Sequence, residues 1–282
     1  MTDSDNAETW RRLPLHAAPM SEHLARIEFI LGNIATTGRP VLAWYLGTPP
    51  ALVLGAGQKA PAVDAAACHA TGVPVYKRPA GGTVVYFSQW NLGQDIFLPP
   101  GHPLAGHDIV NAYRWLGEIW MTTLHALDLP AHIVSPAEAH APRTRPATHE
   151  DMLARLACYG TLSPYEVVIA GRKVIGLDQV RRRAGYLFQA GVLLRWEVER
   201  LVALLNVAPA DRATLIQVLH ERAAGLDEFL GRDMAPEELI SLFEAALSRR
   251  LGIRLVTEPW TEAEAALLRQ IAADHYPPLT LE

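Results

Sequence analysis

Tyr165-Glu166-Val167-Val168-Ile169-Ala170-Gly171-Arg172-Lys173-Val174-Ile175-Gly176 is the stretch on which the fold turns. Two apolar runs, Tyr165–Ile169 and Lys173–Ile175, stand on either side of an Ala-Gly-Arg corner. That pattern reads as a β-hairpin. Lys173 opens the return strand. It is either a solvated lysine at a strand edge or a cation fixed on a rigid strand and aimed at a substrate carbonyl.

Outward from this hairpin the same punctuation repeats. Val41–Leu46 and Ala51–Leu54 are strand-like runs around a turn that holds Gly47, Pro49 and Pro50. Val73–Tyr76 and Thr83–Phe87 flank Gly81-Gly82, and Ile96–Leu98 ends at Pro99-Pro100-Gly101. Leu187–Leu194 is a further strand. Ser21–Gly32 carries Leu24, Ile27, Ile30 and Leu31 at helical spacing, and Asp108–Leu127 reads as a long helix. The tail from about residue 197 is mostly helical. Pro236 suits a helix's first turn, and Thr261 with Glu264 matches a capping box. Ser135–His149 is rich in Ala, Pro, Arg and His, and reads as a mobile excursion near residues 135–150 within one domain spanning 1–282. The element order predicts an α/β (α+β) fold with a mixed, largely antiparallel sheet packed with helices.

Composition narrows the function classes. The 282 residues carry a net charge of -5, which gives no reason to expect nucleic acid as a partner. Val41–Gly57, the most apolar region, is broken by Pro49 and Pro50, far short of the ~20 apolar residues of a membrane span. No signal-like stretch opens the chain. Two cysteines, Cys68 and Cys158, allow one disulfide at most, and a reduced cytoplasmic protein is expected.

Three pieces carry chemistry. In Lys77-Arg78-Pro79-Ala80-Gly81-Gly82-Thr83 a glycine pair either makes a plain turn or lets backbone pass close to a ligand, with a cation just before it. Gly171–Gly176 contains Lys173. Ala157-Cys158-Tyr159-Gly160 contains a cysteine that is either a small core residue or a nucleophile. The histidine nearest to Cys158 in sequence is His149, so no Cys-His dyad is readable. Arg181-Arg182-Arg183 is a solvated turn or a docking patch for an acidic partner.

Taken in order, these pieces resemble the lipoate–protein ligase and octanoyltransferase superfamily. Lys77–Tyr86 followed by Asn91-Leu92-Gly93 is similar to its Arg-Arg-x-Ser/Thr-Gly-Gly signature and the strand after it. Gly171–Gly176 is similar to its Gly-x-Lys-x-x-Gly. Cys158, fifteen positions before Lys173, resembles the cysteine-dependent octanoyltransferase branch of Gram-positive bacteria.

The resemblance implies a biotin/lipoate ligase-like catalytic domain and catalytic roles for Cys158 and Lys173. It places Arg78, Gly81, Gly82, Thr83, Asn91 and Gly176 at the substrate. It also implies transfer of an octanoyl or lipoyl group through a Cys158 thioester, with no metal and no cofactor. Acyl carrier protein or the glycine-cleavage H protein would serve as donor or acceptor, and lipoyl domains of 2-oxoacid dehydrogenases as acceptors. An apolar acyl chain needs a tunnel, and Val84, Tyr86, Val174 and Leu187 are either its walls or ordinary core.

Lys77, Ala80, Phe87-Ser88, Leu177-Asp178 and Gln189-Ala190 depart from the family pattern. They leave open a non-catalytic lipoyl-binding homologue, while the pieces around Gly81-Gly82 and Lys173 would equally serve an ATP-dependent lipoate ligase, with Lys173 holding an acyl-adenylate.

Overall fold

The computed structural model describes residues 7–144 and 146–281. The strands are β1 (Thr9–Arg12), β2 (His16–Ala18), β3 (Val41–Gly47), β4 (Ala51–Leu54), β5 (Val75–Lys77), β6 (Val85–Phe87), β7 (Asn91–Leu98), β8 (Ala131–Ile133), β9 (Val167–Ile169), β10 (Arg172–Arg182), β11 (Gly185–Leu193) and β12 (Arg254–Thr257). The helices are α1 (Met20–Thr37), α2 (Ala65–Thr71), α3 (Arg114–His125), α4 (Pro136–His140), α5 (His149–Ala154), α6 (Val198–Ala203), α7 (Arg212–Arg222), α8 (Leu226–Leu230), α9 (Pro236–Leu251) and α10 (Glu262–His275).

A nine-stranded sheet runs in the order β12-β1-β3-β7-β11-β10-β9-β8, with β2 beside β3. Pairing is parallel among β12, β1, β3 and β2, and antiparallel at every step from β3 to β8. The sheet is therefore mixed and largely antiparallel, as expected. A second sheet, β5-β4-β6, pairs β4 parallel to β5 and antiparallel to β6.

The period of two in β3 explains how the large sheet is covered on both faces. Val41, Ala43 and Tyr45 join the core formed with α1 and the small sheet, while Leu42 and Trp44 join the core under α3 and α9. On that second side Trp44, Trp120 and Phe243 meet ring to ring, with centroids 4.4 to 6.0 Å apart. Each such buried side chain contributes roughly 1.5–3 kcal/mol or more. Gly93 of β7 serves the other side. A Cβ there would sit 2.0 Å from Tyr45 Cζ, so the glycine is what lets the Tyr45 ring lie flat on the sheet.

Several boundaries differ from the sequence reading. The helix expected over Asp108–Leu127 begins as a 3-10 turn at Asn111–Tyr113 and becomes α-helical only at Arg114. The Asp108 carboxylate accepts from the N–H groups of Val110 and Asn111 and holds the chain in the turn. The stretch read as an irregular excursion carries α4 and the start of α5, each opened by a capping box, Ser135 with Glu138 and Thr148 with Asp151. Among the described residues no helix is long and apolar enough to cross a membrane.

Candidate active site

Three segments converge at one end of β10: the glycine loop between β5 and β6, the turn at Cys158–Gly160, and the start of β9. The Cys158 turn is pinned to the small sheet, since the Cys158 N–H donates to the Val84 carbonyl at 3.0 Å. Tyr159 anchors it to the large sheet by donating its hydroxyl to the Gly191 carbonyl at 2.8 Å. Both cysteines are free. Cys68 is buried, and burial with Asp64 nearby pushes its thiol up, away from the reactive thiolate form. Cys158 is half-buried and borders two cavities.

The smaller cavity, about 60 Å³, is mostly apolar, with Tyr45, Val85, Phe87, Tyr159, Leu177 and Ala190 among its lining residues. The larger cleft, about 280 Å³, is more polar; Gly82, Thr83, Tyr113, Lys173 and Asp178 line it with Cys158. Of the two readings of the candidate tunnel walls, ordinary core holds. Val84, Tyr86, Val174 and Leu187 all lie in the packed cores, and on β6 it is Val85 and Phe87 that face the cavity.

Lys173 is not a solvated edge lysine. Its strand lies inside the sheet between β9 and β11, and its side chain is 2% exposed. Nζ lies 2.6 Å from Glu166 Oε1 and donates to the carbonyls of Cys158 at 3.1 Å and Thr161 at 3.2 Å. These acceptors use all three protons of the ammonium. Lys173 therefore ties the cysteine turn to β10 while placing a positive charge in the cleft that Cys158 borders.

A bulge between Lys173 and Ile175 brings Gly176 to the same side as the lysine. A Cβ at Gly176 would lie 3.1 Å from Lys173 Cε, so this glycine leaves room for the buried side chain. Burial pushes the Glu166 carboxyl up. The ammonium, with the N–H groups of Ser163 and Leu177, works against that shift.

Arg78 is an organiser of the glycine loop. Its guanidinium donates to the carbonyls of Val53, Gly81 and Thr83, and Nε lies 3.6 Å from Asp178 Oδ2. The two glycines it holds are unequal. A Cβ at Gly81 would meet nothing within 4 Å. Gly82 has φ +81°, and its Cβ would lie 2.8 Å from Arg78 Nη2 and 3.4 Å from Cys158 Sγ.

Gly82→Val is therefore expected to cost more than ~1 kcal/mol through its positive φ. If Cys158 carries the acyl group that the sequence resemblance implies, the same change should also stop its acylation in the molecules that still fold. Gly81→Ala should stay within about 0.5 kcal/mol of wild type and react normally. Melting temperature and thioester yield, measured side by side, check the contrast. A Gly82→Val protein that folds and acylates at the normal rate would contradict it.

Thr83 is half-buried on the wall of the larger cleft. Asn91 is buried at the start of β7 and lines neither cavity beside Cys158. Its Oδ1 would lie 3.6 Å from a Cβ on Gly191, and neither amide atom has a hydrogen bond of good geometry among the described residues. Behind the small cavity lies a buried polar cluster that the sequence reading missed. Gln189 donates to Asp95 at 2.7 Å, Asp95 pairs with Arg26 at 3.0 Å, and Arg26 contacts His23 at 2.7 Å, with His23 stacked on Tyr45. Burial and the Arg26 charge hold His23 well below its usual range, so it is neutral here. The available signal was His23 and Arg26 standing on the apolar stripe of α1. Glu166 carried a similar signal, an acid within an apolar strand run. Among the described residues no three His, Cys, Asp or Glu side chains gather as a metal site.

The family model of the lipoyl protein ligase A/B catalytic domain matches residues 19–248. A protein of Carboxydothermus hydrogenoformans named octanoyltransferase LipM is 29% identical over 273 residues, covering 95% of this chain and 96% of its own. The protein of that name from Kyrpidia tusciae is 27% identical over 272 residues, with the same coverage of each chain. Among solved structures, the bipartite lipoate protein ligase of Thermoplasma acidophilum superposes with a TM-score of 0.74 at 21% identity, over 95% of this chain and 93% of its own. A lipoate-protein ligase A bound with ATP gives 0.71 at 22% identity, over 94% and 95%. At these identities the two structures speak for the shared fold.

Proposed function

The chain belongs to the lipoyl protein ligase A/B catalytic-domain family, and from that premise we propose that it is an octanoyltransferase working through a thioester on Cys158. The observation that carries this reading is the position of Cys158 between a small, mostly apolar cavity and a larger, more polar cleft that holds a fixed ammonium. The apolar lining of the first matches an acyl chain in polarity, and the larger volume of the second leaves space for the groups that bring and remove it.

A thioester donor is already activated, so exchange onto a second sulfur needs no nucleotide. The Cys158 thiolate adds to the octanoyl carbonyl, the oxyanion collapses, and the donor's thiolate leaves with the proton that Cys158 gave up. A lysine of a lipoyl-domain carrier protein then attacks the new thioester and releases Cys158 as an amide forms. The charge of Lys173 favours the thiolate and the oxyanion of both steps. Its three protons are already held, so it acts through its field and by fixing the cysteine turn. The finer assignments are acyl carrier protein as donor and, as acceptors, the glycine-cleavage H protein or the lipoyl domains of 2-oxoacid dehydrogenases. Alongside the sulfur relay, these are our reading of the site.

The test is transfer from octanoyl acyl carrier protein to an apo lipoyl-domain protein in nucleotide-free buffer. Turnover without ATP is expected. Strict dependence on ATP with free octanoate or lipoate as substrate would favour the ligase reading. Binding without turnover under either condition would make the protein a non-catalytic homologue.

A further inference from the structure

The second half-reaction releases protons for which the residues described so far provide no receiver. The acceptor lysine arrives as an ammonium with an ordinary pKa near ~10.4. Its nitrogen loses two protons before an amide stands in place of the thioester. One goes to the departing Cys158 sulfur and the other to water. Lys173 can take neither, because it is an ammonium whose three N–H bonds end on Glu166 and the carbonyls of Cys158 and Thr161. Glu166 is equally committed, to Lys173 and to the N–H groups of Ser163 and Leu177. Among the described residues no histidine lines either cavity beside Cys158.

Asp178 is the carboxylate left. It is shared by both cavities, and its side chain is 31% exposed, open to a substrate. It is also aimed. The Gln179 N–H donates to Oδ1 at 2.8 Å and Arg78 Nε lies 3.6 Å from Oδ2, so the carboxylate is held between β10 and the glycine loop.

We infer that Asp178 is the general base of acyl discharge, taking a proton from the attacking lysine nitrogen and returning it to the leaving Cys158 sulfur or to water. The first half-reaction exchanges one sulfur for another with no net proton released, so it does not need this residue. Discharge onto an amine that arrives as an ammonium does.

Electrostatics suit the role. Burial pushes the Asp178 carboxyl up to about 6, with Arg78 holding it back and Glu166 adding to the rise. The base form then prevails at neutral pH, yet its conjugate acid is strong enough to hand the proton on. The charged and titratable groups facing it are Arg78 from the glycine loop, Glu166 ahead of β9 and Tyr113 ahead of α3, with Lys173 and Cys158 on the shared cleft.

The inference presupposes the Cys158 thioester, and a two-step experiment on the full chain separates the two claims. The protein is first charged with octanoyl-pantetheine, then mixed with an apo lipoyl-domain protein or with hydroxylamine, which is a neutral nucleophile at pH 7. Asp178→Asn should still accumulate thioester, lose about 10²–10⁴-fold in discharge onto lysine, and discharge to hydroxylamine within a few-fold of wild type. The free-amine fraction of the acceptor rises with pH throughout this range in any variant. Wild-type discharge onto lysine should therefore climb more steeply below about 6, where Asp178 also ionises, than above it. The Asn variant should keep the shallower rise set by the amine and lack the steeper limb below about 6, and Asp178→Glu should recover part of the rate. Wild-type discharge onto lysine by a folded Asp178→Asn protein would overturn the role. So would equal slowing toward both nucleophiles with the pH limb retained, which would make Asp178 a prop for Arg78. If wild type forms no thioester in the first step, the sulfur relay itself fails and the base role falls with it.

Discussion

Lys173→Ala is expected to lose turnover by roughly 10²–10³-fold and to lose stability as well. Read from sequence alone, the lysine stood at a strand edge, where its loss would spare the fold. In the structure its removal leaves the Glu166 carboxylate buried with only two backbone N–H partners, and frees the carbonyls of Cys158 and Thr161. Breaking a buried pair from one side costs about 3–5 kcal/mol.

The loss should depend on pH in a defined direction. Burial already raises the Glu166 carboxyl, and without the ammonium its folded-state pKa rises further above the unfolded value. The folded variant then binds the proton more tightly than the unfolded chain does. Its deficit should be smallest in acid and should grow as pH rises through the folded pKa. Thermal melts of variant and wild type from pH 5 to pH 8 check this, and a pH-independent gap would contradict it. The double variant Lys173→Met with Glu166→Gln should regain much of the stability and stay inactive, which separates holding the turn from supplying charge. Lys173→Arg should also be poor, since Gly176 leaves room for a compact ammonium and not for a planar fork.

Cys158→Ala carries the largest effect expected on activity. Removing a nucleophile from a site whose other groups act in concert with it typically costs on the order of 10⁴–10⁶-fold in turnover. The fold should hardly notice, because Cys158 is half-buried and its turn is fixed by backbone contacts, its N–H on Val84 and its carbonyl on Lys173. Cys68 offers no bypass, being buried with its thiol pushed up. A Cys158→Ala protein that melts like wild type and fails to transfer is the expected outcome, measured with octanoyl acyl carrier protein and an apo lipoyl-domain acceptor.

Much of this fold could be read in the sequence where a strand alternates against two cores or a turn is punctuated. Val41–Leu46, Ala51–Leu54 and the hairpin at Ala170-Gly171-Arg172 all took that form. What escaped was pairing decided by distant chain. β1 and β12 are short and poorly alternating, and they become strands by lying against each other across more than 240 residues. β10 read as three residues and runs to Arg182, because beyond Gly176 it borders a cleft and solvent and loses its apolar pattern.

The site divided in the same way. Cys158, Lys173 and Gly82 were named from motifs and do converge. On β6 it is Val85 and Phe87 that face the cavity, while Val84 just before the strand and Tyr86 within it are core. Where both faces of a strand are buried, hydrophobicity does not say which residue faces the cavity. The burial of Lys173 was also illegible, since it depends on Glu166 meeting it across a bulge. Asp178 stood out only as a departure from the family pattern, and its place between two cavities supplies the reason to examine it.

The measurement that bears most directly on the thioester route is intact mass after mixing with octanoyl acyl carrier protein, with no nucleotide and no acceptor. Wild type should gain a single octanoyl group that hydroxylamine removes and peptide mapping places on Cys158. Cys158→Ala should gain none. Transfer to a lipoyl-domain lysine at the wild-type rate by Cys158→Ala, with no adduct on either protein, would contradict the account.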